Sequence, residues 1–266
     1  MSENPSVSII VCGPSLVCAT ALMNTNSVAP EFETEFNVAA RRLAIFLHNV
    51  SMLPIELDVV ERNFCAHLDR NWELYVSAVK QKTELEYIAY ADGLGYLARL
   101  HAILYELKSF LDILTRLLCR LVSRKPGPNG FNKGKVGDVD LSGGRLINWL
   151  AGHTIESLPN RDPLVHSLTS ASHEWITEAI RLRDTLSHYR DIPGFRHMRV
   201  SVSNGPKSLN RGDILAPAMP GGEDLSTFTS HLRDRLCALL SEVLSLAPGV
   251  KSEMNEKWAT AACYTE

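Results

Sequence analysis

Eight leucines, Leu97, Leu100, Leu104, Leu107, Leu111, Leu114, Leu118 and Leu121, recur at alternating steps of three and four, and Ile103, Phe110 and Leu117 widen the row. That spacing returns a side chain to the same side of an α-helix at every turn. A stripe this broad suits the interior of a helical bundle better than the narrow seam of a two-stranded coiled coil. An isolated helix cannot bury such a face, so the remainder of the chain has to supply partner helices. Gly93 and Gly95 mark a weak start to this helix.

The same period appears elsewhere. Phe36, Ala39, Leu43, Phe46, Leu47 and Val50 predict one helix ending at Pro54, and Leu57, Val60, Phe64, Leu68, Trp72, Tyr75 and Val79 predict a second. Asp162 followed by Pro163 reads as a capping carboxylate and a first-turn proline, opening a helix that buries Leu164, Leu168, Ala171, Trp175, Ala179, Leu182 and Leu186. Pro193 disfavours helical geometry before it, so this helix should end near Tyr189. Residues 195–203 alternate, with Met198, Val200 and Val202 on one side, and Asn204-Gly205 with a run at 213–216 completes a candidate hairpin. A last helix is expected from Asp224 to Leu246. The chain should therefore be all-α, an up-and-down helical bundle with a small irregular or β-hairpin insertion before the last helix. One domain is expected over 34–250 with its core at 97–246, after a leader (1–33) and before a polar tail (251–266). Residues 124–144, with six glycines, two prolines and four basic side chains, read as a long mobile loop.

With 266 residues, 45% of them hydrophobic, the chain can bury a substantial core. A net charge of -3 advertises no global affinity for nucleic acid, so such a partner would need a local basic patch. Cys12, Cys18, Cys65, Cys119, Cys237 and Cys263 are scattered without a Cys-x-x-Cys pair, which argues against a disulfide framework or a zinc site and fits a reducing cytosol. His166 and His173 stand seven apart without further ligands, and no glycine pattern for a nucleotide occurs, so no metal and no cofactor is expected. The apolar run 7–23 lacks a basic flank and is interrupted by Gly13-Pro14. It suits neither a secretory signal nor a membrane helix, and the expected location is cytoplasmic.

Chemistry concentrates at one place. An arginine followed five positions later by a histidine occurs three times, as Arg62/His67, Arg161/His166 and Arg183/His188. On a straight helix, positions five apart diverge by roughly 140°. Arg62/His67 lies inside a helix, and Arg161/His166 straddles a helix start. Only Arg183/His188 falls where a helix should unwind and let both groups reach one phosphate. Around it, Arg181, Arg183, Arg190, Arg196 and Arg199 face two aspartates, Asp184 and Asp191, a local charge of +3 able to bind phosphate backbones.

Arg183, the polar Asp184 directly after it, and His188 at the end of a late bundle helix resemble the HEPN superfamily of compact α-helical domains, many of them metal-independent endoribonucleases of toxin–antitoxin, antiphage and CRISPR systems. The resemblance covers roughly 97–246. It implies RNA cleavage by attack of a 2′-hydroxyl on the adjacent phosphorus, with His188 moving the proton and Arg183 stabilising phosphoryl charge. Asp184 would support Arg183, and Arg181, Arg190, Arg196 and Arg199 would hold RNA. The implied partners are RNA, a second copy forming a two-fold dimer with a shared cleft, and an antitoxin or defence-system protein. Some members carry a tyrosine two residues after the histidine; here Arg190 holds that place and Tyr189 precedes it. Members often bring an acidic residue from another helix to the arginine, which draws interest to Glu106 and Asp112 beside Lys108, although a solvated helix face is their ordinary reading. The alternative is a non-catalytic scaffold or RNA-binding module of the same fold.

Overall fold

The computed structural model describes residues 19, 33–73, 86–90, 93–122, 126–152, 160–188, 190–205 and 208–246, with the side chains of 86–90 and 199–214 outside the description. In order the elements are α1 (Glu33–Arg70), β1 (Glu86–Tyr90), α2 (Leu94–Val122), β2 (Gly134–Val136), β3 (Val139–Leu141), α3 (Gly144–Ala151), α4 (Arg161–Ala171), a π-helical turn (Ser172–Ile176), α5 (Thr177–Ser187), β4 (Arg199–Gly205), β5 (Ser208–Leu215) and α6 (Leu225–Leu246). The fold is all-α with a small β insertion ahead of the last helix.

The leucine row behaves as its spacing requires. Leu100, Leu104, Leu107, Leu111, Leu114 and Leu118 are buried, as are Ile103, Phe110 and Leu117. Trp175 is also buried, whereas Trp72 is only half-buried. Tyr75, Val79, the leader apart from Ala19, and the tail from 247 onward lie outside the described residues.

Two helices were expected on either side of Pro54, and the structure has one. α1 runs 38 residues with the proline inside it. A proline there removes one backbone hydrogen bond and crowds the carbonyl four residues back, at a cost of about 3 kcal/mol. The apolar phase nevertheless carries through: Val50 and Leu68 are both buried and stand eighteen residues apart, five whole turns at roughly 3.6 residues each. Leu53 before the proline and Phe64 and Leu68 after it are buried, with Leu57 and Val60 half-buried between them, and this burial outweighs the missing bond. The helix ends instead at Arg70, where Asn71 donates its backbone N–H and its side-chain amide to the His67 carbonyl, at 3.1 and 2.8 Å.

The chain clusters into two compact units. The first comprises Met1–His48, Glu106–Glu174 and Cys237–Glu266. Within it Glu106 is taken by Arg42, with Nη1 3.1 Å from Oε1, and Arg120 pairs with Glu35. Lys108 and Asp112 meet at 2.5 Å. These are partly buried ion pairs rather than a solvated face. The stretch expected to be a mobile loop is built: β2 and β3 form an antiparallel ribbon across a two-residue turn at Gly137, whose φ of 59° suits glycine. Phe131 is buried beneath it, and its backbone N–H donates to Asp112 Oδ1 at 2.7 Å. A Cβ on Gly143 would lie 2.2 Å from the Phe131 ring, so this glycine is a packing requirement rather than loop punctuation.

The second unit comprises Asn49–Tyr105 and Trp175–Leu236. Arg99 on α2 forms a fork onto Glu56 (Nη2 to Oε1 2.7 Å, Nε to Oε2 3.2 Å), and its Nη1 donates to Asn49 Oδ1 at 2.7 Å. The expected hairpin is present as β4 and β5, which pair antiparallel with a bulge between Val200 and Val202. β1, unread in the sequence, adds to the far side of β4 from Glu86↔Ser203 to Tyr90↔Arg199, making a three-stranded sheet of order β1-β4-β5. Next to it the buried Tyr96 hydroxyl lies 3.3 Å from His197 Nδ1 and accepts the Met198 N–H at 3.4 Å. Gly93 gives the Tyr96 ring its space, since a Cβ there would come within 2.3 Å of it.

Candidate active site

The motif helix opens two residues earlier than its composition suggests. Asn160 occupies the cap position, Arg161 and Asp162 precede Pro163 within the first turn, and a proline that early forfeits no intrahelical bond. One turn, Ser172–Ile176, is π-helical, a departure that the unbroken three-four spacing conceals and that occurs often near functional sites. α5 then buries Ala179, Ile180 and Leu182, stops at Ser187, and leaves His188 as its C-cap with φ -91° and ψ 20°. The His188 N–H still bonds the Asp184 carbonyl at 3.1 Å, so the backbone opens at the histidine itself.

Arg183 follows the buried Leu182, and its side chain is only 25% exposed. Nη1 donates to Asp184 Oδ1 at 2.5 Å. Nε is buried and has no hydrogen-bond partner among the described residues. A buried donor without an acceptor is uncommon and costly, and an anion arriving at the guanidinium would relieve it. Asp184 therefore fixes one edge of the fork and leaves donor capacity on the rest, since a guanidinium carries five N–H groups. His188 is exposed, and its ring has no hydrogen-bond partner among the described residues. Arg183 and His188 thus share the last turn of α5 and its cap, one anchored and half-buried, the other open to solvent.

The surrounding arginines are less available than their number implies. Arg181 is gripped at both edges by Glu178 (2.9 and 2.8 Å), an interaction that raises its pKa. Glu178 lies just before the counted stretch, and including it lowers the local charge from +3 to +2. Arg196 Nε donates to the Ala216 carbonyl at 3.0 Å, while its backbone pairs with Ala218. Arg190 is exposed, its N–H bonded to the Thr185 carbonyl at 3.3 Å. Arg199 sits on β4, its backbone opposite Tyr90 and Leu215, with its side chain outside the description, as is Tyr189. Hence Arg190 is the one arginine of the five whose described side chain is exposed and without an acceptor.

No cluster of three or more metal-ligating side chains occurs among the described residues, and Cys65, Cys119 and Cys237 form no disulfide there. Among the described helices α1 alone is long and apolar enough, by length and composition only, to cross a bilayer, and it carries the buried row Phe36, Leu43, Phe46, Val50 and Leu53. Compared with protein-family models, curated proteins and solved structures, the chain matches none of them.

Proposed function

We propose that the chain is a metal-independent, HEPN-type endoribonuclease acting at the end of α5, as a cytoplasmic homodimer in a toxin–antitoxin or defence setting. The supporting observation is the guanidinium of Arg183: half-buried, anchored on one side by Asp184, left with an unpartnered Nε, and followed one turn later by an exposed imidazole where the helix gives out. In this reading a phosphodiester takes the free donors of Arg183. The 2′-oxygen forms a bond to phosphorus, the bond to the 5′-oxygen breaks, and a cyclic phosphate remains. His188 takes the proton from the 2′-hydroxyl or gives one to the departing 5′-oxygen, a role worth about 10²–10⁴-fold in rate. Arg183 bears the charge that gathers on the non-bridging oxygens. Arg190 contributes backbone affinity. Two copies facing across a two-fold axis would supply a base and an acid together.

The test is incubation of the purified full chain with RNA in EDTA, with analysis of the product ends. Products ending in a 2′,3′-cyclic phosphate, with no cut at a site carrying a single 2′-deoxyribose, support the reading. Absence of cleavage by a folded, dimeric preparation would instead favour the non-catalytic scaffold.

A further inference from the structure

Between the end of α5 and the start of β4 the chain passes through one short segment tied down at three points. Ile192-Pro193-Gly194-Phe195 is a reverse turn. The Phe195 N–H donates to the Ile192 carbonyl at 3.0 Å, with proline second and Gly194 third at φ 80°, the type II pattern. Beyond it Arg196 and Ala218 exchange both backbone bonds, at 2.8 and 2.9 Å, and the Tyr96 hydroxyl meets His197 Nδ1 and the Met198 N–H. Ile192 and Met198 are buried, whereas Phe195 and His197 between them are only half-buried. Their ring centroids lie 5.2 Å apart with the planes at 82°. An edge-to-face pair covers only one face of one ring, and His197 Nε2 has no hydrogen-bond partner among the described residues. Rings needed for packing alone would be buried like Ile192 and Met198.

We infer that Phe195 and His197 form a nucleobase subsite, on which a base of the bound RNA stacks while its phosphates lie on Arg183 and Arg190. The inference rests on the ribonuclease reading and adds contact with a base, which arginines gripping phosphates do not supply. All four residues belong to the same compact unit. The turn brings the Cα of Phe195 within about 7 Å of that of Ile192. Arg190 stands two residues before Ile192, at most roughly 7 Å further along the chain, so one short stretch of nucleotides spans cation and ring. A base is the ligand these side chains suit: its flat face meets the rings, and its edge offers a hydrogen-bond partner to His197 Nε2. A bare phosphate would leave Phe195 unused, and an alkyl chain would leave the imidazole unsatisfied. The anchored backbone fixes both rings before the RNA arrives, so little freedom is lost on binding.

The experiment measures, by fluorescence anisotropy in about 50 mM salt, binding of the full chain to two labelled strands of about ten nucleotides. One is 2′-O-methyl RNA of mixed sequence, whose blocked 2′-oxygen cannot attack phosphorus, and the other is the same backbone without bases. Stacking on an aromatic ring is worth roughly 5- to 150-fold in affinity per base. The wild type should prefer the strand with bases by about tenfold or more. Phe195→Leu, which keeps an apolar side chain, should lose most of that preference and bind the abasic strand as the wild type does. Phe195→Tyr should keep the preference, and His197→Ala should reduce it. Equal binding of both strands by the wild type, a preference that Phe195→Leu retains, or equal weakening of both strands in Phe195→Leu would overturn the proposal. Because neither strand can be cut, the result is independent of cleavage. A Phe195-dependent preference in a protein that cuts no RNA would sustain the subsite and remove the ribonuclease reading.

Discussion

Asp224 is a sharp place to test how the sequence sets this structure. It stands directly before α6. Its Oδ1 accepts the Thr227 N–H at 2.9 Å, its Oδ2 accepts the Thr227 hydroxyl, and its own carbonyl accepts the Phe228 N–H at 2.9 Å. One carboxylate therefore satisfies an amide that the first turn leaves unpaired, and places negative charge at the positive end of the helix. Asp224→Ala removes the cap, about 1 kcal/mol, and the charge–dipole term, about 0.5 kcal/mol more. A loss of roughly 1–2 kcal/mol should lower Tm by about 2–4 °C for each kcal/mol. Asp224→Asn keeps an acceptor oxygen and should recover most of the loss.

The pH dependence has a definite sign. The Thr227 hydroxyl, more than the backbone N–H groups, holds the Asp224 carboxyl below its ordinary value, against a smaller opposing effect of burial. The unfolded chain thus binds the proton more readily than the folded one, and stability from this group rises with pH. It is fully present above the unfolded value, about 3.9. It is lost as pH falls through the lower folded value. Urea unfolding of wild type and Asp224→Ala should differ by the stated amount at neutral pH and converge under acid. No difference at neutral pH, or a gap that survives acid undiminished, would refute the capping argument.

Arg99→Ala should destabilise by about 1–2 kcal/mol, since it removes three charge-assisted bonds at a side chain only a quarter exposed. Arg99→Lys should restore only part, because an ammonium cannot fork onto Glu56; urea midpoints of the three proteins measure this. Gly144→Ala would put a Cβ 2.1 Å from the Gly134 carbonyl oxygen, a backbone atom, and should cost about 2–3 kcal/mol. At Gly95 a Cβ meets nothing within 4 Å inside α2, so Gly95→Ala should stabilise by about 0.5–1 kcal/mol; paired thermal melts give both signs.

What was legible in the sequence is what periodicity encodes. The leucine row of α2, the buried face of α1 and the start of α6 at Asp224 all follow from repeats that survive folding. Pro54 was misread because local chemistry marks a break, while the decision rests on whether the stripes either side are in phase. Residues 126–144 were misread because one buried ring, Phe131, and one carboxylate, Asp112, order a stretch otherwise poor in apolar side chains. β1 is invisible locally, since its order comes from β4, more than a hundred residues away. At the candidate site the opening of the helix beside His188 was foreseeable from Pro193. The electrostatics were not: Glu178 claims Arg181, and the Ala216 carbonyl claims Arg196.

The central claim is that Arg183 and His188 act on one phosphate. Its most direct test is the initial rate of RNA cleavage in EDTA by the wild type, Arg183→Ala and His188→Ala. The account predicts metal-independent cleavage by the wild type and a loss of about 10²-fold or more in each variant, with circular dichroism unchanged. Wild-type cleavage that both variants retain would contradict it.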